Sequence, residues 1–443
     1  MKLTSYPASA WQALSALTEG PFAGEATPVD ETALADAGAL IARLSADGPA
    51  AAGQPIPPAL LALAARAADV FEIEAPDAPG ICFVGAMTTP DRHFDAPQAA
   101  GTISAGACGP TFAAALVACL GETAERLAQS AGAAAAPPLP ARRFGEGLDP
   151  ASRTALAALS GADVPPDEAQ PALAARILAG DGTTLVPAAL CLKRPGAAEA
   201  AVNPSIGCAC GPTAADAILS GLLEWVERDA AALWWHAGRP ARMVALETLE
   251  EAGLLAMIAA ARQGLASRRT WMLDITSDLG VPCIACVSVL ADGKGFAHGA
   301  AARTTLAAAA RAAFVELCQM EVAWHLMALK RASGRGPSSP ADLRHQARFD
   351  TIDPAALPML TPRLPPLSAA MAAPDDLDGL VARLAAAGYP PLAVDLSHPA
   401  IGLPVFKAIV PGLQPLPAGV RTARLARAAA EPGATGQADI PLY

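Results

Sequence analysis

A stretch of 20 residues occurs twice in this chain of 443 residues, and it constrains the fold more than any other feature. Ala107–Arg126 and Ala209–Arg228 align without a gap, 102 positions apart, and share 11 of 20 residues. Both copies begin with Ala-Cys-Gly-Pro-Thr and end with Glu-x-x-Glu-Arg. Matching alanines are common in so alanine-rich a chain, whereas two polar blocks at the same spacing are not. The repeat therefore predicts a fold built from duplicated units.

Each copy carries the signals of an extended segment, a turn and a helix. Gly-Pro breaks the extended chain, and Thr111 and Thr213 are good helix N-cap residues. Thr213 is followed three positions later by Asp216, which resembles a capping box with aspartate in place of glutamate. The patterns predict helices over Thr111–Ala131 and Thr213–His236.

The glutamates of the two copies predict a metal site. Glutamates three residues apart share one face of a helix, so two such helices facing each other would bring together four carboxylates and two arginines. Carboxylates in a cluster repel one another, and Mg²⁺, which prefers oxygen ligands and is commonly completed by substrate phosphates, would relieve that repulsion. The alternative is a solvated helix face, but the identical context of both copies favours a site. The predicted metal ligands are Glu122, Glu125, Glu224 and Glu227, and the predicted phosphate-binding arginines are Arg126 and Arg228.

A third helix, predicted from about Leu306 to Lys330, has a similar pattern. Glu316 and Gln319 again place two oxygen-bearing side chains three residues apart in an apolar helix, flanked by Arg303 and Arg311. No P-loop and no dinucleotide-binding glycine motif competes with this interpretation.

The remaining patterns predict an α+β fold, because strands and helices interleave without a regular βαβ rhythm. Helices are predicted at Glu31–Ser45 and Pro58–Ala68, with short helices over 150–180. The predicted strands are Gly80–Gly85, Thr183–Lys193, Thr270–Thr276, Val281–Leu290, Leu392–Leu396 and Val405–Val410. Ala133–Pro140 is predicted to be a linker, and Gly334–Pro340 and Leu357–Pro374 are predicted to be irregular.

Composition excludes several classes of protein. The net charge is −11 and no basic run exists, which argues against binding to nucleic acid. No stretch of about 18 bulky apolar residues without charge is present, and the first 20 residues lack the pattern of a signal peptide. We therefore expect a cytoplasmic protein, and the nine cysteines are expected to be free thiols.

The cysteines also admit a zinc site. Cys208-x-Cys210 and Cys283-x-x-Cys286 could together supply four ligands. Two facts argue against it: Cys210 repeats Cys108 and so belongs to the turn of the repeat, and residues three apart in a strand point to opposite faces.

Several other residues have a structural interpretation beside a functional one, and the structural one is favoured. Asp395 and Lys407 lie on strands that could approach the site, the paired tryptophans could contact a peptide, and one histidine precedes the third helix. These residues are Asp395, Lys407, Trp234, Trp235 and His298.

The helices together resemble the YcaO family. Members carry a Glu-x-x-Glu-Arg helix after a glycine-rich turn, a second such helix ending Glu-Arg-Asp and then tryptophan, and a third helix with Glu-x-x-Gln. The second helix here continues to Asp229. Asp274–Pro282, Val394–Pro399 and Val405–Gly412 resemble later strands of the family. The resemblance covers about residues 75–415, which implies an extension at 1–75, mostly helical, a catalytic domain at 76–415 and a tail at 416–443.

The resemblance implies a YcaO-like fold with repeated strand–turn–helix units around a central ATP site, in which the paired glutamates hold Mg²⁺. Such proteins phosphorylate a peptide-bond oxygen, and attack on the amide carbon followed by loss of phosphate leaves a thiazoline or oxazoline. Attack by external sulfide leaves a thioamide instead. The implied nucleotide-binding residues are Arg126, Ser220, Arg228, Glu316, Gln319 and Arg311. The bacteriocin-type branch acts on ribosomally made precursor peptides, with a leader-binding partner and in some systems a flavin-dependent dehydrogenase. We expect a homodimer or larger complex.

Two departures from the family pattern favour a further alternative, a non-catalytic scaffold that binds peptide or partner subunits. The family serine before the first glutamate is Ala118 here, although the second copy has Ser220. The C-terminus has the single proline Pro441 where azoline-forming members have several.

Overall fold

A computed structural model describes most of the chain. The described residues are 2–17, 31–46, 56–95, 101–131, 139–161, 165, 168–193, 202–334, 340–366, 374, 376–417, 419–431, 433–436 and 442. Within them, helices mix with sheets whose strands pair antiparallel, which confirms the predicted α+β class. No helix among the described residues is both long enough and apolar enough to cross a bilayer.

Twelve α-helices lie in the described part of the chain. They are α1 (Ala8–Leu17), α2 (Glu31–Ser45), α3 (Pro58–Arg66), α4 (Phe112–Ser130), α5 (Pro150–Ser160), α6 (Ala214–Trp235), α7 (Leu246–Glu251), α8 (Leu254–Arg262), α9 (Leu306–Ala332), α10 (Pro340–Thr351), α11 (Leu377–Ala386) and α12 (Ala423–Ala429). The long predicted helices correspond to α4, α6 and α9.

The strands form three sheets. The strands are β1 (Leu3–Tyr6), β2 (Asp69–Glu74), β3 (Cys82–Thr88), β4 (Ile103–Gly109), β5 (Ala141–Arg142), β6 (Gln170–Ile177), β7 (Thr183–Pro187), β8 (Cys208–Cys210), β9 (Arg268–Asp274), β10 (Cys283–Leu290), β11 (Ala297–Ala302), β12 (Leu392–Asp395) and β13 (Val405–Ile409). Their orders are β1-β2-β3-β4, β5-β6-β12-β13-β8 with β7 paired to β6, and β11-β10-β9.

Each sheet ends in a strand that leads through a turn into a long helix. The three strand–helix pairs are β4–α4, β8–α6 and β11–α9. A threonine caps each helix: the hydroxyls of Thr111, Thr213 and Thr305 accept hydrogen bonds from backbone N–H groups of the first turn. Asp216 completes the capping box at the start of α6, as predicted.

The three units close into a ring. Each helix packs on its own strand and also on the strand of another unit: α4 on β8, α6 on β11 and α9 on β4. Because the contacts run from the first unit to the second, from the second to the third and back to the first, the middle parts of the three helices meet around one region.

Residues at both ends of the chain are tied to this ring. Strand β1 pairs with β2, which in turn pairs with β3 in the first sheet, and helices α2 and α3 pack on α4. Near the C-terminus, the guanidinium of Arg424 donates to the buried Asp229 carboxylate of α6 at 2.8 Å. The domain boundaries predicted at 75 and 415 stay predictions.

Some local predictions were wrong. Residues 150–180 were predicted as short helices, and this holds for α5, but Gln170–Ile177 is strand β6 because pairing with β7 and β12 outweighs the helix propensity of its alanines. The strand β11 was not predicted at all, since Ala297–Ala302 has only small apolar residues besides His298 and no alternation. Residues 133–138, 335–339 and 367–373 of the predicted linker and irregular segments, and Pro441, lie outside the described residues.

Gly207 lies where β8, β13 and α6 converge. Its φ is 75°, and a Cβ atom there would lie 2.4 Å from Trp225 Nε1 and 2.5 Å from the Ala408 carbonyl oxygen. We expect Gly207→Ala to lower the free energy of unfolding by more than about 3 kcal/mol, because both backbone conformation and space oppose a methyl group. Denaturant unfolding would measure this loss.

Gly253 provides a matched control. Its φ is 65°, but no atom lies within 4 Å of a Cβ built there. Gly253→Ala should therefore cost only the penalty of the left-handed backbone, about 1–2 kcal/mol. Equal losses in the two variants would contradict the close packing at Gly207.

Candidate functional site

The first glutamate of the motif on each of α4, α6 and α9 accepts a hydrogen bond from the backbone in or next to the strand that precedes its helix. Each of these glutamates is the eleventh residue after the capping threonine, so the three units place them alike. The donors are Gly106 N to Glu122 at 3.2 Å, Gly207 N to Glu224 at 2.8 Å and the backbone of Ala300 to Glu316. The strands therefore fix the carboxylates at one level of the ring.

Two of these glutamates also pair with the arginine four residues later. Arg126 donates to Glu122 Oε1, with Nε at 3.1 Å, and Arg228 donates to Glu224 Oε1 at 3.2 Å. The ion pairs are i,i+4 contacts on α4 and α6, and both are partly exposed. The predicted equivalence of the two copies is thus present in side-chain geometry as well as in sequence.

The second polar residue of each motif reaches towards another unit. Glu125 accepts a hydrogen bond from Cys210 N of β8 at 3.0 Å. Gln319 Nε2 donates to the Gly106 carbonyl of β4 at 2.9 Å. Glu227, which is 4% exposed, lies beside Glu316 of α9. The six predicted polar positions of the three helices are therefore brought together around the ring.

The carboxylates are costly to ionise in this arrangement. Burial raises the pKa of Glu227 well above its usual range, and the charge of Glu316 raises it further. Burial also raises the pKa of Glu316, although Arg228 and Arg303 oppose the shift. Glu125 has a raised pKa for the same main reason, with additional repulsion from neighbouring glutamates. A bound cation would remove much of this cost.

The donor set fits Mg²⁺ in the presence of a phosphorylated ligand. Within the described residues no group of three or more acidic, histidine or cysteine side chains is close enough to hold a metal ion by itself. Mg²⁺ is usually held by one or two carboxylates together with phosphate oxygens and waters, so pairs of carboxylates beside arginines meet its requirement. The residues that would hold it are Glu122, Glu125, Glu224 and Glu227.

The remaining predicted nucleotide-binding residues are placed differently from one another. Ser220 is exposed on α6, four residues before Glu224 and on its face, and Ala118 has the equivalent exposed position on α4. Arg311 is exposed, and its guanidinium donates to the Ala252 carbonyl at 3.0 Å, beside α7 and α8. Arg303, which the sequence indicated only as a flanking residue, is a second cation, besides Arg228, that acts on Glu227 and Glu316.

Lys407 is buried beneath the site. Its ammonium donates to the carbonyls of Pro204, at 2.8 Å, and of Ile206. Those carbonyls flank the turn whose next residue, Gly207, donates to Glu224, so Lys407 fixes the turn that holds this carboxylate. Desolvation lowers the pKa of Lys407.

The other residues with two interpretations have structural positions. Trp234 and Trp235 are buried, with their rings 5.5 Å apart, and Trp234 Nε1 donates to a backbone carbonyl. His298 is buried on β11 and stacks on Phe296. Asp395 is exposed, and its carboxylate accepts from the N–H of Ser397.

The zinc alternative has no support in the described residues. Cys283 and Cys286 lie on β10 and pack into different clusters of the core, as the spacing of a strand requires. The cysteines of the described chain are free thiols, as expected.

The buried carboxylates lead to a prediction about stability. We expect Glu227→Gln to raise the free energy of unfolding of the unliganded protein at pH 7 by about 1–3 kcal/mol, because a neutral amide avoids desolvation and the repulsion by Glu316. The same variant should gain less stability than wild type from added Mg²⁺ and ATP. Chemical denaturation with and without the ligands would measure both effects.

Glu250→Gln on the exposed surface of α7 is the control for this substitution. It should change neither quantity by more than about 0.5 kcal/mol. A loss of stability in Glu227→Gln would show that Glu227 is held as a favourable ion pair instead.

Comparisons with known proteins agree with the geometry. A family model described as YcaO cyclodehydratase, binding ATP and Mg²⁺, matches residues 39–414, which is most of the chain. A search of the curated proteins found no match.

Solved structures of low sequence identity share the fold. A heterocyclase in complex with substrate and cofactor has a TM-score of 0.58 and 23% identity, over 79% of this chain and 50% of its own. A YcaO protein from Methanopyrus kandleri, bound with AMPPCP and Mg²⁺, has a TM-score of 0.52 and 20% identity, over 78% of this chain and 86% of its own. The Escherichia coli microcin synthetase complex McbBCD has a TM-score of 0.54 and 15% identity, over 75% of this chain and 84% of its own. This chain thus spans half the length of the heterocyclase.

Proposed function

This chain belongs to the YcaO family, and we propose that it activates a backbone amide of a ribosomally made precursor peptide, giving thiazoline or oxazoline rings by cyclodehydration. ATP and Mg²⁺, the predicted cofactors, are those of the family. The observation that carries the proposal is the ring of polar side chains from α4, α6 and α9, in which carboxylates with raised pKa values adjoin arginines.

The residues of the ring would act by positioning and by neutralising charge. ATP, when bound, would supply a phosphoryl group for the amide oxygen, which would then leave as phosphate. Arg126 and Arg228, each already oriented by a glutamate, can turn towards phosphate oxygens, and Arg303 adds positive charge from the third unit. Phosphoryl transfer needs little else from a protein, because positioning and electrostatic stabilisation provide most of the rate.

The attacking nucleophile is proposed to come from the substrate, as a cysteine, serine or threonine side chain next to the activated amide. Eight of the nine thiols of this chain are poorly suited to the role, because burial raises their pKa and so disfavours the thiolate. The cysteines with raised pKa are Cys108, Cys119, Cys191, Cys208, Cys210, Cys283, Cys286 and Cys318.

The peptide substrate and partner proteins are part of the proposal. One structural neighbour is a heterocyclase with substrate bound, and another belongs to a microcin synthetase complex that was also solved with pro-MccB17. We propose that a leader-binding partner delivers the precursor peptide, that a flavin-dependent dehydrogenase can follow, and that the chain works in the cytoplasm as a homodimer or within a larger complex.

Two alternatives remain distinct from cyclodehydration. A thioamide-forming enzyme would use external sulfide, and its product would exchange one oxygen for sulfur, whereas each azoline ring loses one water. The mass of the modified peptide separates these two reactions. A non-catalytic scaffold, favoured by Ala118 at the exposed position before Glu122, would bind peptide without turning over ATP.

Nucleotide binding tests the carboxylate assignment. We expect Glu122→Gln and Glu224→Gln to weaken binding of ATP in the presence of Mg²⁺ by about tenfold or more, because each variant removes a ligand charge and an arginine partner. Removing Mg²⁺ with a chelator should weaken wild-type binding in the same way. Calorimetry measures both, and phosphate release with the precursor peptide and partner tests turnover.

Glu250→Gln is again the matched control and should bind ATP as wild type does. Unchanged affinity and unchanged phosphate release in both site variants would overturn the assignment. Tight ATP binding by wild type without phosphate release, in the presence of peptide and partner, would favour the scaffold.

A further inference from the structure

We propose that Lys193, held by Ser205 and Gln129, binds the polyphosphate of the nucleotide beside Arg126. This inference rests on the proposed function, because it names a further ligand-binding residue of the same site. Neither the repeat nor the three helix motifs indicated Lys193, which follows β7 and a short 3-10 turn. The argument comes from hydrogen bonds, charge and the difference between the two copies.

The scaffold of the subsite is the last turns of α4. Glu122, Arg126 and Gln129 are spaced four and three residues apart and therefore share one face of the helix. Gln129 is only 1% exposed. Its backbone oxygen accepts from Lys193 N at 2.9 Å, and its side-chain oxygen accepts from Ser205 Oγ at 3.2 Å. A buried glutamine thus fixes both residues at the end of this face.

Ser205 in turn orients the lysine. The ammonium of Lys193 donates to Ser205 Oγ at 3.0 Å, while the hydroxyl donates onwards to Gln129. An ammonium group has three hydrogens, and Ser205 is its single acceptor among the described residues. Two N–H donors of an exposed lysine are therefore left for solvent or a ligand.

The surroundings favour an anionic ligand. Arg126 and Gln129 share a face of α4, and the backbone of Lys193 is bonded to Gln129, so the two cations belong to the same end of the helix. Desolvation and the positive charge of Arg126 lower the pKa of Lys193. Phosphate oxygens would offset repulsion between the cations and accept the remaining ammonium hydrogens.

The second copy lacks this subsite, which fits an asymmetric ligand. The position that aligns with Gln129 is Ala231. After Arg228, the second helix continues with Asp229, whose buried carboxylate is occupied by Arg424 at 2.8 Å. The repeat therefore provides two similar glutamate–arginine pairs. Among the described residues an exposed lysine accompanies the first pair, whereas Lys407 beside the second is buried and bonded to backbone carbonyls, an asymmetry that fits a triphosphate with two different ends.

The test compares nucleotides that differ in phosphate number. In the presence of Mg²⁺, Lys193→Met should weaken binding of ATP by about tenfold or more, the effect of losing one charge-assisted hydrogen bond, and leave binding of AMP unchanged. Lys193→Arg should retain most of the affinity for ATP. Ser205→Ala, which keeps the lysine but removes its orienting hydroxyl, should give a smaller loss for ATP. Calorimetry measures these affinities.

Lys294→Met, in the exposed hairpin between β10 and β11, is the control and should bind ATP as wild type does. Equal weakening of ATP and AMP by Lys193→Met, or weakening of neither, would overturn the inference. Failure of the wild-type protein to bind ATP would instead overturn the proposed function, so the two failures are distinguishable. Unfolding free energies of the lysine variants should match wild type, because the side chain is exposed.

Discussion

The structure depends on how the free edges of three sheets are satisfied. Strands β4, β8 and β11 are terminal in their sheets, so on one side their backbone groups have no neighbouring strand within the part of the chain that the structure describes. Polar side chains of the long helices take that role: Glu122 accepts from Gly106 N, Gln319 donates to Gly106 O and Glu125 accepts from Cys210 N. An unpaired strand edge is otherwise a liability. Here the residues that complete the edges are also those proposed to bind the ligands.

The glutamates that complete the sheet edges are also crowded together, which explains why ionising them costs free energy when no ligand is bound. Backbone N–H groups attract the carboxylates to the ring, yet burial and mutual repulsion raise the pKa of Glu125, Glu227 and Glu316. Ligands that bind only the folded protein add their binding free energy to its stability. A cation and a polyphosphate would therefore stabilise the region in which buried carboxylates repel one another. Sites built for binding often lower the stability of the unliganded protein in this way.

The three strand–helix units of the ring are connected in the same way, but their polar residues differ. The third helix replaces the second glutamate by Gln319, a neutral donor that reaches the carbonyl side of β4. On the second helix, Asp229 forms a buried ion pair with Arg424 and so holds α12 against α6. The first helix ends beside the exposed Lys193. These differences make the three units chemically distinct within a shared framework.

The sequence by itself determined the local units and the residue types of the site. Thr111 and Thr213 with the following Glu-x-x-Glu-Arg pattern define helices, caps and shared faces, because these depend on residues three and four apart. It could not determine β11, whose small residues carry no strand signal, nor β6, where pairing overrides propensity. Nor could it separate Arg303 from Arg311, or find Lys193. Only the tertiary structure decided these, because closure of the ring depends on contacts between segments 85 to 213 residues apart.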